Sequence, residues 1–408
     1  MQQNATKKLT ISLNNIIELL IPLYFCSVFV FSFNTAENNV ISRLLALALI
    51  GVLVLYILHK NKAVLDWRAM LLWGFLLFCL LSCLWAWDIG VAFSKCISLF
   101  QIILLAYLVY NYISSENKLE YFIACLCIAT TFFSIYTVLY VGVDTYFTGI
   151  EEGDRLGMEI ANVNTIGRWS AVGAIINLWY AFYKKKRICI AFLIVCGLVT
   201  LGSESRTAIA GLLFGLVVLL FSGTDTKKSV QGFALLILFA IVLVLVIQLP
   251  MFESVRERFT VMFETFLGEH SGGSTDLRLK MIELGLNEFY KAPLSGIGIG
   301  NSAVLTLNEI KSATYLHNNY AELLASVGLI GTMLYYSCYI VPVLIMTGKK
   351  WRSNPLVALA RTILIMLMFC HFGTVIYSEK MDYMIIILGF LITRETVAKE
   401  RNKGVQST

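Results

Sequence analysis

The chain has 408 residues, 58% of them hydrophobic and 14% charged, with a mean hydropathy of +0.77. A soluble domain is nearer half apolar and a quarter charged, so the excess apolar surface needs lipid to cover it. The net charge of +6 does not point to nucleic acid, because the basic residues stand in short clusters between apolar runs, the footprint of membrane orientation.

A bilayer core takes about 20 apolar residues in a helix. That window predicts spans near 16–33, 40–58, 69–87, 96–113, 119–141, 165–182, 188–202, 205–222, 230–248, 319–346, 355–376 and 381–394. The first run follows Lys7 and Lys8 as a signal peptide would, but it is long for one and no A-x-A cleavage site follows, so it reads as a membrane helix. With five prolines, no Gly/Ser linker and no internal repeat, residues 1–408 read as one all-α polytopic membrane domain of about twelve transmembrane helices.

The connections alternate in charge. One set carries Lys7 and Lys8, Lys60, Lys62 and Arg68, Lys118, Lys184 to Arg187, Lys227 and Lys228, Lys349, Lys350 and Arg352, and Lys399, Arg401 and Lys403. The short connections of the other set carry Glu37, Asp88 with Lys95, Glu151 to Arg155, Glu204, and Glu379 with Lys380. Cytoplasmic loops are enriched in Lys and Arg, so both termini fall in the cytoplasm. The connection 249–318 then lies outside. Within it Phe252, Val255, Phe259, Met262, Phe263 and Phe266 recur at helical spacing, as do Leu277, Met281, Leu284, Leu286 and Phe289, which predicts two amphipathic helices. Pro293–Asn301, PLSGIGIGN, reads as a flexible turn between elements. The ten cysteines lie in or beside apolar runs and none falls in this loop, so they read as small packing residues without a disulfide framework.

Polar residues converge on the outer side. Arg206 opens the eighth span in SESRTA, Arg278 stands in the long loop, and His317 opens the tenth span in LHNNYAELLASVGLIG. Arg155, Asn162, Asn164 and Arg168 occupy the other sizeable outer connection and the start of the helix behind it. Each has a plainer reading by itself. Arg206 snorkels to headgroups, Arg278 faces water, His317 is a polar helix start, Arg155 pairs with Asp154, and the asparagines cap or turn. Together they suggest an anion site beside a base. Guanidinium groups hold a diphosphate through paired charge-assisted donors. A neutral histidine takes the proton of an attacking hydroxyl.

SESRTA, RLKMIELGLNEFYKAPLSGIGIGN and LHNNYAELLASVGLIG resemble the bacterial O-antigen ligases and polysaccharide polymerases. The third has His317-Asn318, nine residues, Gly328, two residues and Gly331, similar to that family's signature. GDRLGMEIANVNTIGRW resembles its upstream N-P-N segment, with Val163 where proline is usual. The resemblance covers residues 154 to 336 and implies a helical GT-C-like glycosyltransferase that needs no metal or other cofactor. Its donor would be an undecaprenyl-diphosphate-linked oligosaccharide at the outer face of the bacterial cytoplasmic membrane. Arg206 and Arg278 would hold the diphosphate and His317 would be the base. Arg155, Asn162, Asn164, Arg168, Asn318, Tyr320 and Glu322 would support them. The acceptor would be a second lipid-linked glycan for a polymerase or lipid A–core for a ligase, and the wording GIGIGN and HNNYAELL favours the polymerase. Membrane lipids are the remaining partners, with other polysaccharide export proteins alongside. A twelve-helix transporter fits the topology but places its site near the midplane, where charge is almost absent here and His371 is the best candidate.

Overall fold

A computed structural model describes residues 2–31, 39–61, 63–152, 160–220, 273–348 and 354–406, with a few isolated positions between them. Among these residues there is no strand. The helices are α1 (Gln2–Phe31), α2 (Asn39–Lys60), α3 (Trp67–Ser82), α4 (Ile89–Ser115), α5 (Leu119–Val141), α6 (Val143–Glu152), α7 (Val163–Tyr183), α8 (Ile188–Gly202), α9 (Arg206–Leu220), α10 (Gly273–Lys291), α11 (Ser302–Ile310), α12 (Asn319–Met346), α13 (Pro355–Cys370) and α14 (Lys380–Gln406). Eleven of the twelve expected spans coincide with helices in this series; the twelfth, 230–248, lies outside the described residues.

Among the described residues, five helices are long and apolar enough to cross a membrane: Leu13–Phe31 of α1, α2, α4, α5 and α12. α3, α8, α9 and α13 are apolar but only 15 or 16 residues long. α7 and α14 are long but carry buried polar groups, Arg168 and Asn177 in the first and Asp382 in the second. α2 shows what faces the lipid. Leu44, Leu47, Leu55 and Leu58 are each more than half exposed on one stripe, while Ser42, Leu49, Leu53 and Tyr56 are buried on the other. Both stripes are apolar, so only the packing tells the inward face from the lipid face.

α7 is the central helix, buried along most of its length and packed on α5, α8, α9 and α13. It packs closely because two of its residues are small. A side chain at Gly167 would collide with Ser203 in the turn between α8 and α9, and one at Gly173 would crowd Thr130 and Cys196.

The long connection is more ordered than the sequence suggests. α10 is the second of the two expected amphipathic helices, and it lies on the beginning of α12 through Met281, Leu316, Ala321 and Ala325. The residues of the first lie almost wholly outside the described ones. Pro293–Asn301 is not a flexible turn. Its backbone bonds into a break in α12 at Gly328 (φ 61°, ψ −167°), where the helix leaves the carbonyls of Ala325 and Ser326 to accept from Ile297 N and Gly298 N at 2.9 and 2.8 Å. Leu329 N donates to Pro293 O at 2.8 Å. The other edge of the loop is tied to the α3–α4 connection by Trp87 N to Ile297 O (3.1 Å), Asp88 N to Asn301 Oδ1 (2.7 Å) and Trp85 Nε1 to Ser295 O (3.1 Å). A buried loop must bond its own backbone groups, and the break in α12 supplies the acceptors.

Candidate functional site

The N-termini of α7, α9 and α12 meet the C-terminus of α13 at one end of the bundle. α7 begins at Asn162, whose Oδ1 caps the helix by accepting from Asn164 N at 2.9 Å. With that oxygen committed, the amide nitrogen of Asn162 donates to the Tyr315 hydroxyl at 3.3 Å. Asn164 Oδ1 accepts from Ser205 Oγ at 2.8 Å, which ties the start of α7 to the residue before Arg206. On the other side of Arg206, Thr207 packs so tightly on Gly373 that no side chain fits there. Asn318 caps α12 by accepting from Tyr320 N and Ala321 N, and it donates to Phe372 O at 3.3 Å. The contacts close a ring that runs from Asn162 through Asn164, Ser205, Thr207, Gly373, Phe372, Asn318 and His317 to Tyr315.

His317 sits on this ring with a left-handed backbone (φ 56°) and its imidazole against Tyr315, ring centroids 4.4 Å apart. Among the described residues its Nδ1 is buried without a hydrogen-bond partner, which leaves Nε2 as the nitrogen able to meet a substrate. Burial, and then the nearby Arg278, push the imidazole pKa down to about 4, so the ring is neutral at pH 7. Arg278, half-buried on α10, has its own pKa lowered by burial, opposed by Tyr315. It stays charged, as arginine does in proteins. The Tyr315 phenol is pushed up, chiefly by burial, with Arg278 opposing and Glu379 adding to the rise.

Other residues singled out in the sequence build the frame. Glu322 is buried and accepts from Leu316 N at 3.0 Å and from Ser302 Oγ, which fixes the segment that delivers His317. Tyr320 stacks on Tyr336 with centroids 4.6 Å apart and donates to Met368 O at 2.8 Å. Arg168 does not join the ring. It is fully buried and pairs with Glu379 and, at 3.4 Å, with Asp382, so its charge is committed to carboxylates. His371 is likewise committed on one side, with Nδ1 3.1 Å from the Tyr336 hydroxyl. Arg155 lies outside the described residues. The residues that sequence reading missed are Tyr315 and Glu379. Nothing marks Tyr315 among nineteen tyrosines except its place two residues before His317.

Chemically, three helix N-termini, one of them opening with Arg206, stand near Arg278 and a neutral imidazole. Helix N-termini present free N–H groups and the positive end of the helix dipole, which favours anions. Comparison with protein families gives a match to the model described as O-antigen ligase over residues 190–336, a stretch that contains Arg206, Arg278 and His317. No curated protein matches the chain.

Proposed function

We propose, from the match of residues 190–336 to the family model described as O-antigen ligase, that the chain transfers a glycan from undecaprenyl diphosphate to a hydroxyl acceptor. The lead reading is a polymerase that joins lipid-linked oligosaccharide repeat units into O-antigen or capsular polysaccharide. The acceptor hydroxyl attacks the anomeric carbon of the donor as the bond from that carbon to the diphosphate oxygen breaks. The hydroxyl proton passes to His317 Nε2. The leaving diphosphate keeps the electron pair, and Arg206 and Arg278 hold its charge. Preorganised donors of this kind are worth most where charge develops in the transition state.

The observation that carries this reading is the convergence of His317 and the start of α9 on one ring of contacts at one end of a polytopic bundle, with the charge of Arg278 close enough to act on His317. The alternation of loop charge supports twelve spans, cytoplasmic termini and an outward-facing site. A second reading, ligation of the glycan to lipid A–core, is favoured by the description of the matching family.

The test is transfer in membranes from cells that make the native lipid-linked glycan. His317→Ala is expected to lower the rate by about 10²–10⁴, the usual range for a lost general base, while donor binding persists. Arg206→Ala and Arg278→Ala should weaken donor binding instead. Parent-level transfer by His317→Ala would remove the histidine from the mechanism. Chain extension without lipid A–core identifies the polymerase, and a strict requirement for it identifies the ligase.

A further inference from the structure

A histidine base normally has its second nitrogen bonded to a carboxylate or carbonyl, which fixes both the tautomer and the ring direction. Among the described residues His317 has no such partner, because its Nδ1 is buried and unbonded there. The terminal torsion of a histidine is broad, so the ring direction has to be set by packing. One side chain is placed to do this. Tyr315 lies against the imidazole at 4.4 Å between centroids, with the planes tilted by 50°. Tyr315 is itself held at its far end, where its hydroxyl accepts from Asn162 Nδ2 at 3.3 Å. Asn162 cannot turn away, since its Oδ1 is engaged in capping α7.

We propose that Tyr315 is the positioning residue for His317: its ring, anchored through its hydroxyl to Asn162, replaces the missing Nδ1 partner and keeps Nε2 turned towards the substrate. The inference rests on the reading of His317 as the base. Through this tie the start of α7, over 150 residues earlier in the sequence, governs the aim of a group at the start of α12. The charged groups acting on the pair are Arg278 on α10, which acts on both rings, and Glu379 and, on α12, Glu322, which act on Tyr315.

Two measurements on the full-length protein in membranes test it. The first is transfer rate with the native lipid-linked donor, separated into the rate at saturating donor and the donor KM. Misplacing a catalytic group by about 1 Å costs on the order of 10²-fold. Tyr315→Leu should therefore lose about 10- to 100-fold in the saturated rate with little change in KM. Tyr315→Phe keeps the ring and should recover most of that loss. Asn162→Ser keeps a capping oxygen but loses the amide donor, so it should match Tyr315→Phe. The second measurement needs no substrate. Carbethoxylation of His317 by diethyl pyrocarbonate, followed by mass spectrometry, should be fastest in Tyr315→Leu and intermediate, measurably above the parent rate, in Tyr315→Phe and Asn162→Ser.

Parent-level transfer and unchanged carbethoxylation in Tyr315→Leu, with His317→Ala inactive, would overturn the positioning role and leave the base in place. Equal losses in Tyr315→Phe and Tyr315→Leu would overturn it too, because the ring would then contribute nothing. Full activity of His317→Ala would instead bring down the reading of the base itself. If Tyr315→Leu fails to accumulate, Tyr315→Phe and Asn162→Ser still decide the matter through the carbethoxylation rate, and no change in either would reject the Asn162 anchor.

Discussion

In the proposed reaction a single residue, Arg278, has two opposed effects. It would supply charge for a diphosphate, and it weakens the proposed base by disfavouring the imidazolium. Burial is the larger cause of the low His317 pKa of about 4 and Arg278 is the second. The active form of a base is deprotonated, so in the donor-free enzyme activity is lost only as pH falls through about 4. The profile of kcat/KM, which reports the free enzyme, should therefore stay flat down to about pH 5. Arg278→Ala should lower kcat/KM and move the acid limb upward, part of the way to the ordinary histidine value of 6.5, because burial persists. Arg278→Lys should keep the limb low, since it retains the charge, while restoring only part of the donor binding, since it loses the planar fork. Initial rates between pH 3.5 and 8 check both points, and an unmoved limb in Arg278→Ala would separate Arg278 from the base. The sequence shows His317, Arg206 and Arg278 because all three stand in connections or helix starts that the charge alternation brings to one side. Tyr315 stays hidden because an aromatic residue beside a membrane helix is ordinary, and only the fold brings Asn162 to its hydroxyl.

Helices were largely legible because hydropathy and length fix a membrane span nearly independently of its neighbours. What hydropathy does not carry is a break inside a span. α12 reads as one apolar run from Asn319 to Met346, but it is interrupted at Gly328, where the Pro293–Asn301 loop takes its hydrogen bonds. The glycines of PLSGIGIGN look like flexibility in the sequence. In the fold, Gly296 (φ 66°) and Gly328 (φ 61°) instead allow two backbones to touch. A side chain at Gly328 would overlap the backbone of Leu294 and Ser295, and its backbone, positive in φ with an extended ψ, by itself costs a non-glycine residue about 1–3 kcal/mol. Gly328→Ala should destabilise the protein by at least that amount, seen as a lower unfolding temperature in detergent, and should lower transfer through the displaced start of α12. Gly197→Ala on α8 is the control. It has open space around it and an ordinary helical backbone, so it should be neutral or raise stability by up to about 1 kcal/mol. Equal behaviour of the two variants would show that the Gly328 junction is not specifically constrained.

At the scale of the whole molecule, the site acquires a side of the membrane only through charge. Packing places His317, Tyr315 and the start of α9 at one end of the bundle, but packing is the same whichever way the bundle is inserted. The loop charges break that symmetry. Lys184 to Arg187 stand at the far end of α7, in the turn to α8, and Lys60 and Lys118 mark the ends of α2 and the α4–α5 turn. Local ion pairs engage several of these cations, Lys184 with Glu120 at 2.6 Å, Lys60 with Glu116 at 3.4 Å, and Lys118 with Glu18. Pairing does not cancel the bias, because Asp and Glu count for little in orientation. We therefore propose that the end that carries the ring faces outward and the lysine-rich end the cytoplasm. Two exposed positions report the two ends, Asn308 on α11 and Lys186 in the α7–α8 turn. In a variant stripped of the ten native cysteines, Asn308→Cys should react with an impermeant maleimide added to intact cells, and Lys186→Cys should react only after the membrane is opened. The reverse pattern would place the ring in the cytoplasm, where a donor on the outer face could not reach it. Labelling at both positions in intact cells would mean that the α7–α9 hairpin does not span the bilayer as the charge alternation requires.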